Sequence, residues 1–481
     1  MKLEALLRDI PILETNVDIN TEIGAVAYDS RKVIPGSLFV AITGFATDGN
    51  RFIPMALEKG AAAVVTQQRP DEGVPYILVE NTRLALALLG RNFYGNPAGA
   101  MTMIGITGTN GKTSVTLLLK HVLETVRGAK VGLIGTVDNR IGDEIIPTER
   151  TTPESFELQG LFARMRDAGC AYTIMEVSSH ALTLERVGGV HYQVAAFTNL
   201  TEDHLDFHKT MEAYCDAKAE LFARCDKAVF NADDAWFSRV SSKCACPAIT
   251  CSLKGAGDLA ATDIQAGGAG VSFTVAYAGE SCRFKLAIPG RFTVYNALTV
   301  IGCALELGLS LQEIADALAT ATGVKGRVEV VPTPGKPYTV LIDYAHTPDG
   351  LENVISSIKE VCTGRVISVF GCGGDRDPVK RPIMGRIGTE LSDYSIITSD
   401  NPRTEDPMAI IRDILKGVVC DGSKYEVIEN RIAAVHRAMD IGQKDDIIIL
   451  AGKGHETYQE ICGVKHHLDE REVVAEYLLA N

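Results

Sequence analysis

No segment of this chain is apolar over the roughly 20 consecutive residues that a membrane-spanning helix needs. The first residues, MKLEALLRDIPILE, are broken by Glu4, Arg8 and Asp9 and lack the apolar core of a signal peptide, so a cytoplasmic protein without membrane insertion is expected. The twelve cysteines contain no CxxC pair. The nearest two, Cys244 and Cys246, suit reduced thiols better than a zinc site or a disulfide framework. There is no Lys/Arg-rich run and the net charge is -14, which argues against nucleic acid as the main ligand. Small-molecule chemistry is the better expectation, because an acidic protein can still hold anionic substrates in a local basic pocket.

With 481 residues, 46% of them hydrophobic and 22% charged, the chain is globular and too long for one ordinary domain. Two or three packed α/β domains are expected. The stretch with the clearest chemistry is TGTNGKT, Thr107 to Thr113. An apolar run, Met101 to Ile106, precedes it, and leucines at helical spacing follow from Ser114 to Val126, so its glycines fall between a strand and a helix. That context makes an anion site. Gly108 and Gly111 let backbone N–H groups turn inward, Lys112 can reach terminal phosphates, and the Thr113 hydroxyl can ligate Mg2+. The usual phosphate-loop pattern has glycine five residues before the Gly-Lys pair, where this chain has Ile106, so the loop is a shortened variant. A glycine turn with an exposed lysine is the blander and weaker alternative.

Residues 1–98 alternate short apolar runs with turns and read as a small α/β unit. Asp29, Ser30 and Arg31 follow the run ending at Tyr28, and Thr43 to Gly49 follows Leu38 to Ile42. Asn96, Pro97 and Gly99 read as a linker. In residues 99–326, Tyr172 to Met175 leads into Glu176, Val177, Ser178, Ser179 and His180, and Val194 to Phe197 leads into TNLTEDHLDFH. Ligands of parallel α/β sheets bind beyond the carboxyl ends of strands. The phosphate loop, Glu176 and His204 are therefore expected on one edge, where Glu176 and His204 suit Mg2+ on ATP phosphates. In isolation, either would be read as a salt-bridged carboxylate or a helix-cap histidine.

Met211 to Cys225 is expected to be a helix, with Lys218 on its apolar side. Such a lysine either snorkels to water or becomes a reactive, desolvated amine. Residues 250–286 read as an antiparallel flap, and Tyr295 to Leu307 as a helix with Asn296 near its start. GVKGRVE, which contains Arg327, reads as a hinge. Residues 327–481 then repeat a strand-then-polar-loop pattern four times. The loops are Asp343 to His346, GCGGDRD, DNPR (Asp400, Asn401, Pro402, Arg403) and GKGHE. Arg376, Arg381 and Arg403 sit at these loop ends, where guanidinium forks can clamp carboxylate or phosphate.

Taken together, DSR with PGSLFVA, TGTNGKT, TTP, MEVSSHAL, TNLTEDHLDFH, DYAHTPD, GGDRD, DNPR and GKGHE resemble the Mur ligase family over essentially the whole chain. The resemblance implies three domains, at 1–98, 99–326 and 327–481. These are a small α/β UDP-binding domain, a central ATP-binding domain with a mostly parallel sheet and a P-loop, and a Rossmann-like C-terminal domain. It also implies an ATP-dependent amide ligase of peptidoglycan precursor synthesis, working through an acyl phosphate. The motifs are most similar to the members that add meso-diaminopimelate to the γ-carboxylate of UDP-N-acetylmuramoyl-L-alanyl-D-glutamate. A lysine-adding member and a folylpolyglutamate-synthase-like ligase are the alternatives. DNPR weighs against the first, and the extra N-terminal domain weighs against the second.

By the same resemblance, ATP is expected at Gly108, Thr109, Asn110, Gly111, Lys112, Thr113, Asn296, Arg327 and Asp343. Magnesium is expected at Thr113, Glu176, His204 and a carbamylated Lys218, with Lys112, Lys218, His204 and Glu176 as the catalytic set. The UDP-sugar peptide is expected at Tyr28, Ser30, Phe45, Ala46, Thr47, Thr151, Thr152, Ser178 and Arg186. Diaminopimelate is expected at Arg376, Asp400, Asn401, Pro402, Arg403, Gly452 and Glu456, with Arg403 left unpaired until a second carboxylate arrives. A monomer with small-molecule partners only is expected.

Overall fold

The computed structural model of the protein describes residues 1–44, 47–148, 150–255, 257–267 and 270–480. Three large sheets follow one another along the chain, giving the α/β class read from the sequence. The first has five strands in the spatial order Ile12–Thr15, Tyr76–Val79, Ala63–Thr66, Ser37–Val40, Ala25–Ala27, and only the edge strand Ile12–Thr15 runs antiparallel. Ser37–Val40 and Ala63–Thr66 are buried at every residue, as befits parallel strands covered on both faces.

The central sheet has eleven strands. Thr102–Thr107 lies between Tyr172–Glu176 and Val194–Phe197, parallel to both, and register pairs Ile106 with Glu176 and Thr107 with Phe197. The carboxyl ends of these three strands, and so their loops, share one edge. The helix after the first loop, Lys112–Arg127, buries Val115, Leu118, Leu119, Val122 and Leu123 at helical spacing against this sheet. At about 2 kcal/mol for each buried aliphatic side chain, that stripe fixes the helix, and with it the loop at its N-terminus.

The region expected to be a flap is instead an extension of the same sheet. Leu259–Gly267 pairs in parallel with Ala248–Ser252, and the antiparallel strands Gly270–Tyr277 and Glu280–Leu286 continue it. Val271, Phe273, Val275, Phe284 and Leu286 join the apolar cluster beneath helix Lys112–Arg127, which a detached flap would leave in water. Two helices also differ from expectation. Met211–Ala219 gives way to a 3-10 turn at Glu220–Arg224, and the later helix begins at Phe292, which puts Asn296 in its second turn and rules out a capping role.

The third sheet places Thr339–Asp343, Ile447–Ala451, Val366–Phe370 and Tyr394–Ile397 side by side and parallel. The four polar loops of the sequence therefore meet on one edge. Beneath that edge, Arg431 and Glu470, both 1% exposed, pair at 2.8 Å, and Arg431 also donates to the Ala451 carbonyl at 2.8 Å. Removing one partner strands a buried charge beside the loop that starts at Gly452. Glu470→Ala is expected to cost about 3–5 kcal/mol in the C-terminal unfolding transition, measured by urea titration. A loss within experimental scatter would show that the pair does not hold this edge.

Candidate active site

The phosphate loop is held from both sides by chain distant in sequence. Gly108 has φ +146, and a Cβ there would sit 1.9 Å from the Thr198 hydroxyl; at Gly111, φ +86, it would sit 2.4 Å from the Asn296 Oδ1. Only glycine fits either position. Thr198 Oγ1 donates to the Asn110 carbonyl at 2.6 Å, and the Asn110 and Thr109 N–H groups donate to the Asn199 side chain and carbonyl at 2.9 and 2.8 Å. A cavity of about 70 Å³ is lined by Thr109, Asn110, Gly111, Lys112, Thr113, Ser114, Thr136, Glu176 and Arg327.

Two lysines converge on this loop. Lys112 Nζ donates to the carbonyls of Gly108 and Thr109 at 2.9 and 2.8 Å, and Lys218 Nζ donates to Gly108 at 2.8 Å. Lys218 is 1% exposed, and its ammonium lies 4.5 Å from the centre of the Tyr214 ring. No carboxylate pairs with it among the described residues. Burial, reinforced by the Lys112 charge, pushes its pKa well below the usual lysine value, and burial lowers that of Lys112 as well.

Glu176, also 1% exposed, is a hydrogen-bond hub. It accepts from the Thr113 hydroxyl at 2.9 Å and from both the N–H and the hydroxyl of Thr136 at 2.9 Å. Thr113 and Glu176 thus meet, as expected, and offer hard oxygen donors that fit magnesium. An ammonium at Lys218 does not fit a metal. His204 lies on the adjoining loop in a left-handed conformation (φ 55), 3.4 Å from Asp203 and edge-on to His180 with centroids 4.8 Å apart. Burial lowers its pKa, which favours the neutral imidazole a metal needs. Among the described residues no group of three or more His, Cys, Asp or Glu is arranged to hold a metal.

Thr151, Thr152, Ser178 and Arg186 gather beside Glu176. Thr151 bonds to Thr136 at 3.0 Å, Thr152 donates to the Glu176 carbonyl at 2.8 Å, and Arg186 donates to the Thr152 carbonyl at 3.2 Å. Arg83, Arg150 and Arg186 all approach Glu154, at 3.9, 3.9 and 3.4 Å. Three guanidiniums around one carboxylate leave positive charge for an anion. Ser30 is buried at the N-terminal sheet, while Tyr28 spends its hydroxyl on Glu157 at 2.6 Å. Phe45 and Ala46 lie outside the described residues, and their neighbour Thr47 accepts from the Gly44 N–H at its carbonyl.

Beyond the third sheet, Tyr344, His346, Gly373, Arg376, Lys380, Asp400, Asn401, Arg403, Gly452 and Glu456 line a second cavity of about 180 Å³. Buried Lys453 underpins it, reaching Asp400 at 3.0 Å and Glu456 at 3.4 Å, and Asn401 donates to Glu456 at 2.9 Å. Arg403 corrects one expectation. Its guanidinium pairs with Glu460 at 3.3 Å and donates to the Gly374 carbonyl at 2.7 Å, because the hairpin Tyr458–Ile461 and Val464–His467 brings Glu460 alongside. The Pro402 carbonyl accepts from the Glu405 N–H at 3.0 Å, the Gly374 N–H donates to the Asn401 carbonyl at 2.9 Å, and Asp343 accepts the N–H groups of Val328 and Ala345, each at 2.8 Å. Arg381 proves structural, buried and paired with Glu405 at 2.7 Å and Asp413 at 3.0 Å. The two cavities are joined by Arg327, which lines the first and lies 4.9 Å over the ring of Tyr344, which lines the second.

Three family models match in succession: "Mur ligase family, catalytic domain" over residues 22–94, "Mur ligase middle domain" over 106–304 and "Mur ligase, glutamate ligase domain" over 326–454. A UDP-N-acetylmuramoyl-L-alanyl-D-glutamate 2,6-diaminopimelate ligase of Clostridium acetobutylicum is 46% identical over 99% of both chains, and the one of Caldanaerobacter subterraneus is 48% identical over 99% of both. The chain belongs to the Mur ligase family. A solved ligase of the same description superposes with TM-score 0.74 at 30% identity, over 100% of this chain and 99% of that one. A folylpolyglutamate synthase of Mycobacterium tuberculosis covers 77% of this chain and 92% of its own, with TM-score 0.60 at 18% identity, and shares the fold alone.

Several residues of this Mur ligase's site escape sequence reasoning. Thr136 follows an unremarkable strand, and Arg83 lies in the N-terminal unit. Asp349 comes from the third sheet's first helix, yet accepts from Asn110 at 2.8 Å and Thr201 at 2.7 Å beside the phosphate loop. No local signal marks Thr136 or Arg83, and Asp349, the last residue of DYAHTPD, carries no signal that it reaches the phosphate loop. The glycine geometry gives a direct test: Gly108→Ala is expected to weaken ATP binding by about 2 kcal/mol or more, roughly 30-fold, in a calorimetric titration. Unchanged affinity would mean that the Thr198 contact yields freely.

Proposed function

We propose that this chain joins meso-diaminopimelate to the γ-carboxylate of UDP-N-acetylmuramoyl-L-alanyl-D-glutamate, converting ATP to ADP and phosphate. The observation that carries the reading is the pair of cavities linked through Arg327 and Tyr344, one fit for phosphates and the other for a small zwitterion. In the first, Lys112, Arg327 and the N-terminus of helix Lys112–Arg127 neutralise and align the transferring phosphoryl group. The carboxylate attacks the γ-phosphorus and ADP leaves. The amine then attacks the acyl carbon, and phosphate departs with the electron pair of the C–O bond. Asn296 and Asp343 complete the nucleotide site, while Ser30, Thr151, Thr152, Ser178, Arg186 and the arginines around Glu154 hold the UDP-sugar peptide. A monomer acting in the cytoplasm is part of this proposal, and no helix among the described residues is long and apolar enough to cross a membrane.

Magnesium, arriving with ATP, would be held by Thr113 and Glu176 with His204 nearby, and would add positive charge against the phosphates. Lys218 fits this role once its neutral amine has added CO2, forming an N–C bond and releasing a proton, so that an uncompensated cation becomes an anion. Lys218→Ala is expected to lower turnover by about 100-fold or more, and intact-protein mass at neutral pH should show one CO2 that the variant lacks. Full turnover in the variant would sink the carbamate.

Arg403 and Glu456 give the second cavity its selectivity. A second carboxylate joins Glu460 on the Arg403 guanidinium, whereas lysine leaves that guanidinium only partly satisfied. Because Glu460 is already there, the penalty for lysine falls near the low end, about 1 kcal/mol from this contact. ADP release should require both the muramyl dipeptide and diaminopimelate, with L-lysine a poor acceptor, and Arg403→Ala should narrow the preference severalfold. Equal use of both acceptors by the unaltered enzyme would overturn the specificity, and ADP release without any acceptor would overturn the ligase reading.

A further inference from the structure

The second cavity contains a base that the reaction needs and no step above uses. As nitrogen bonds to the acyl carbon it becomes acidic, and its proton needs an acceptor within reach. His346 lines this cavity. Its Nδ1 lies 2.8 Å from the Tyr344 carbonyl. A carbonyl can only accept, so Nδ1 carries the proton and Nε2 presents its lone pair. Nε2 is the opposite corner of the ring, and no side chain or carbonyl partners it among the described residues.

The surroundings keep the ring neutral. Burial lowers its pKa, and so do the charges of Lys380, which donates to the His346 carbonyl at 2.9 Å, and Arg327; the Tyr344 carbonyl and Asp400 oppose them. Arg376, Arg403 and Glu456 line the same cavity. The ring lies 4.6 Å from that of Tyr344, on which Arg327 of the phosphate cavity stacks. His346 is therefore on the wall joined to the phosphate cavity, where the attacking amine must meet the acyl phosphate, while Arg403 is tied to Gly374 and Glu460.

We infer that His346 is the general base for amide formation, with Nε2 taking the proton from the attacking amine. The inference rests on the proposed ligase reaction. The amine enters as the free base, the N–C bond forms, and the C–O bond of the acyl phosphate breaks with its electron pair leaving on phosphate. The N–H proton passes to Nε2, and the resulting imidazolium releases it to solvent after the product departs.

The test compares the intact enzyme with His346→Asn, whose side-chain amide can keep the bond to the Tyr344 carbonyl while Nε2 is lost. Two acceptors are used: diaminopimelate, and hydroxylamine, which is largely unprotonated at neutral pH and traps an acyl phosphate as a hydroxamate without needing a base. The variant is expected to lose about 100-fold or more in the rate of amide formation while forming hydroxamate at close to the unaltered rate. Amide formation retained within about threefold would overturn the inference. So would an equal loss with both acceptors, which marks a purely structural role. If the unaltered enzyme forms neither product from the muramyl dipeptide and ATP, the ligase reading itself fails, and that outcome is distinct from both.

Discussion

The carbonyl of Gly108 accepts hydrogen bonds from two lysines, Lys112 within the loop and Lys218 from 110 residues downstream. Much of the site follows from that meeting. Buried Lys218 and half-buried Lys112, neither paired with a carboxylate among the described residues, concentrate positive charge at the loop, so anions are favoured there. Glu176, whose charge acts on Lys112, is spent on Thr113 and Thr136 and makes no ion pair with either lysine. A triphosphate at the loop and the carbamate proposed on Lys218 would answer the same electrostatic demand by different means. The loop that exposes the carbonyl is tied to Thr198 and Asn199 by hydrogen bonds, which resists relief of the charge by movement of the loop.

The sequence was most informative where chemistry coincides with the end of a parallel strand. An apolar run followed by a polar cluster locates Glu176, Asp343, Asp400 and Gly452 because a sheet covered on both faces must place its loops at its ends. The apolar stripe of Lys112–Arg127 was legible for the same reason. Contacts whose partners lie far away in sequence were not. Arg403 could be placed on the cavity, but its pairing with Glu460 depends on a hairpin 55 residues later, whose edge register no local pattern fixes. The antiparallel strands of 259–286 show the same limit. Their alternation marks a half-buried sheet, but only the shared apolar cluster says which sheet they extend.

Asp349, on the first helix of the third sheet, ties that sheet to this charged loop by two hydrogen bonds. Asp349 accepts from Asn110 and Thr201 but does not line the phosphate cavity, so it grips the loop from outside the space where phosphates would lie. The groups are partly open to solvent, which holds each bond to about 1 kcal/mol. Together they contribute about 2 kcal/mol, enough to favour the arrangement in which Arg327 spans both cavities and too little to lock it. That balance suits an enzyme that must admit three substrates and release three products through the same gap. A contact inside the cavity would compete with the nucleotide, whereas one on its rim lets the loop carry phosphates and the neighbouring domain together.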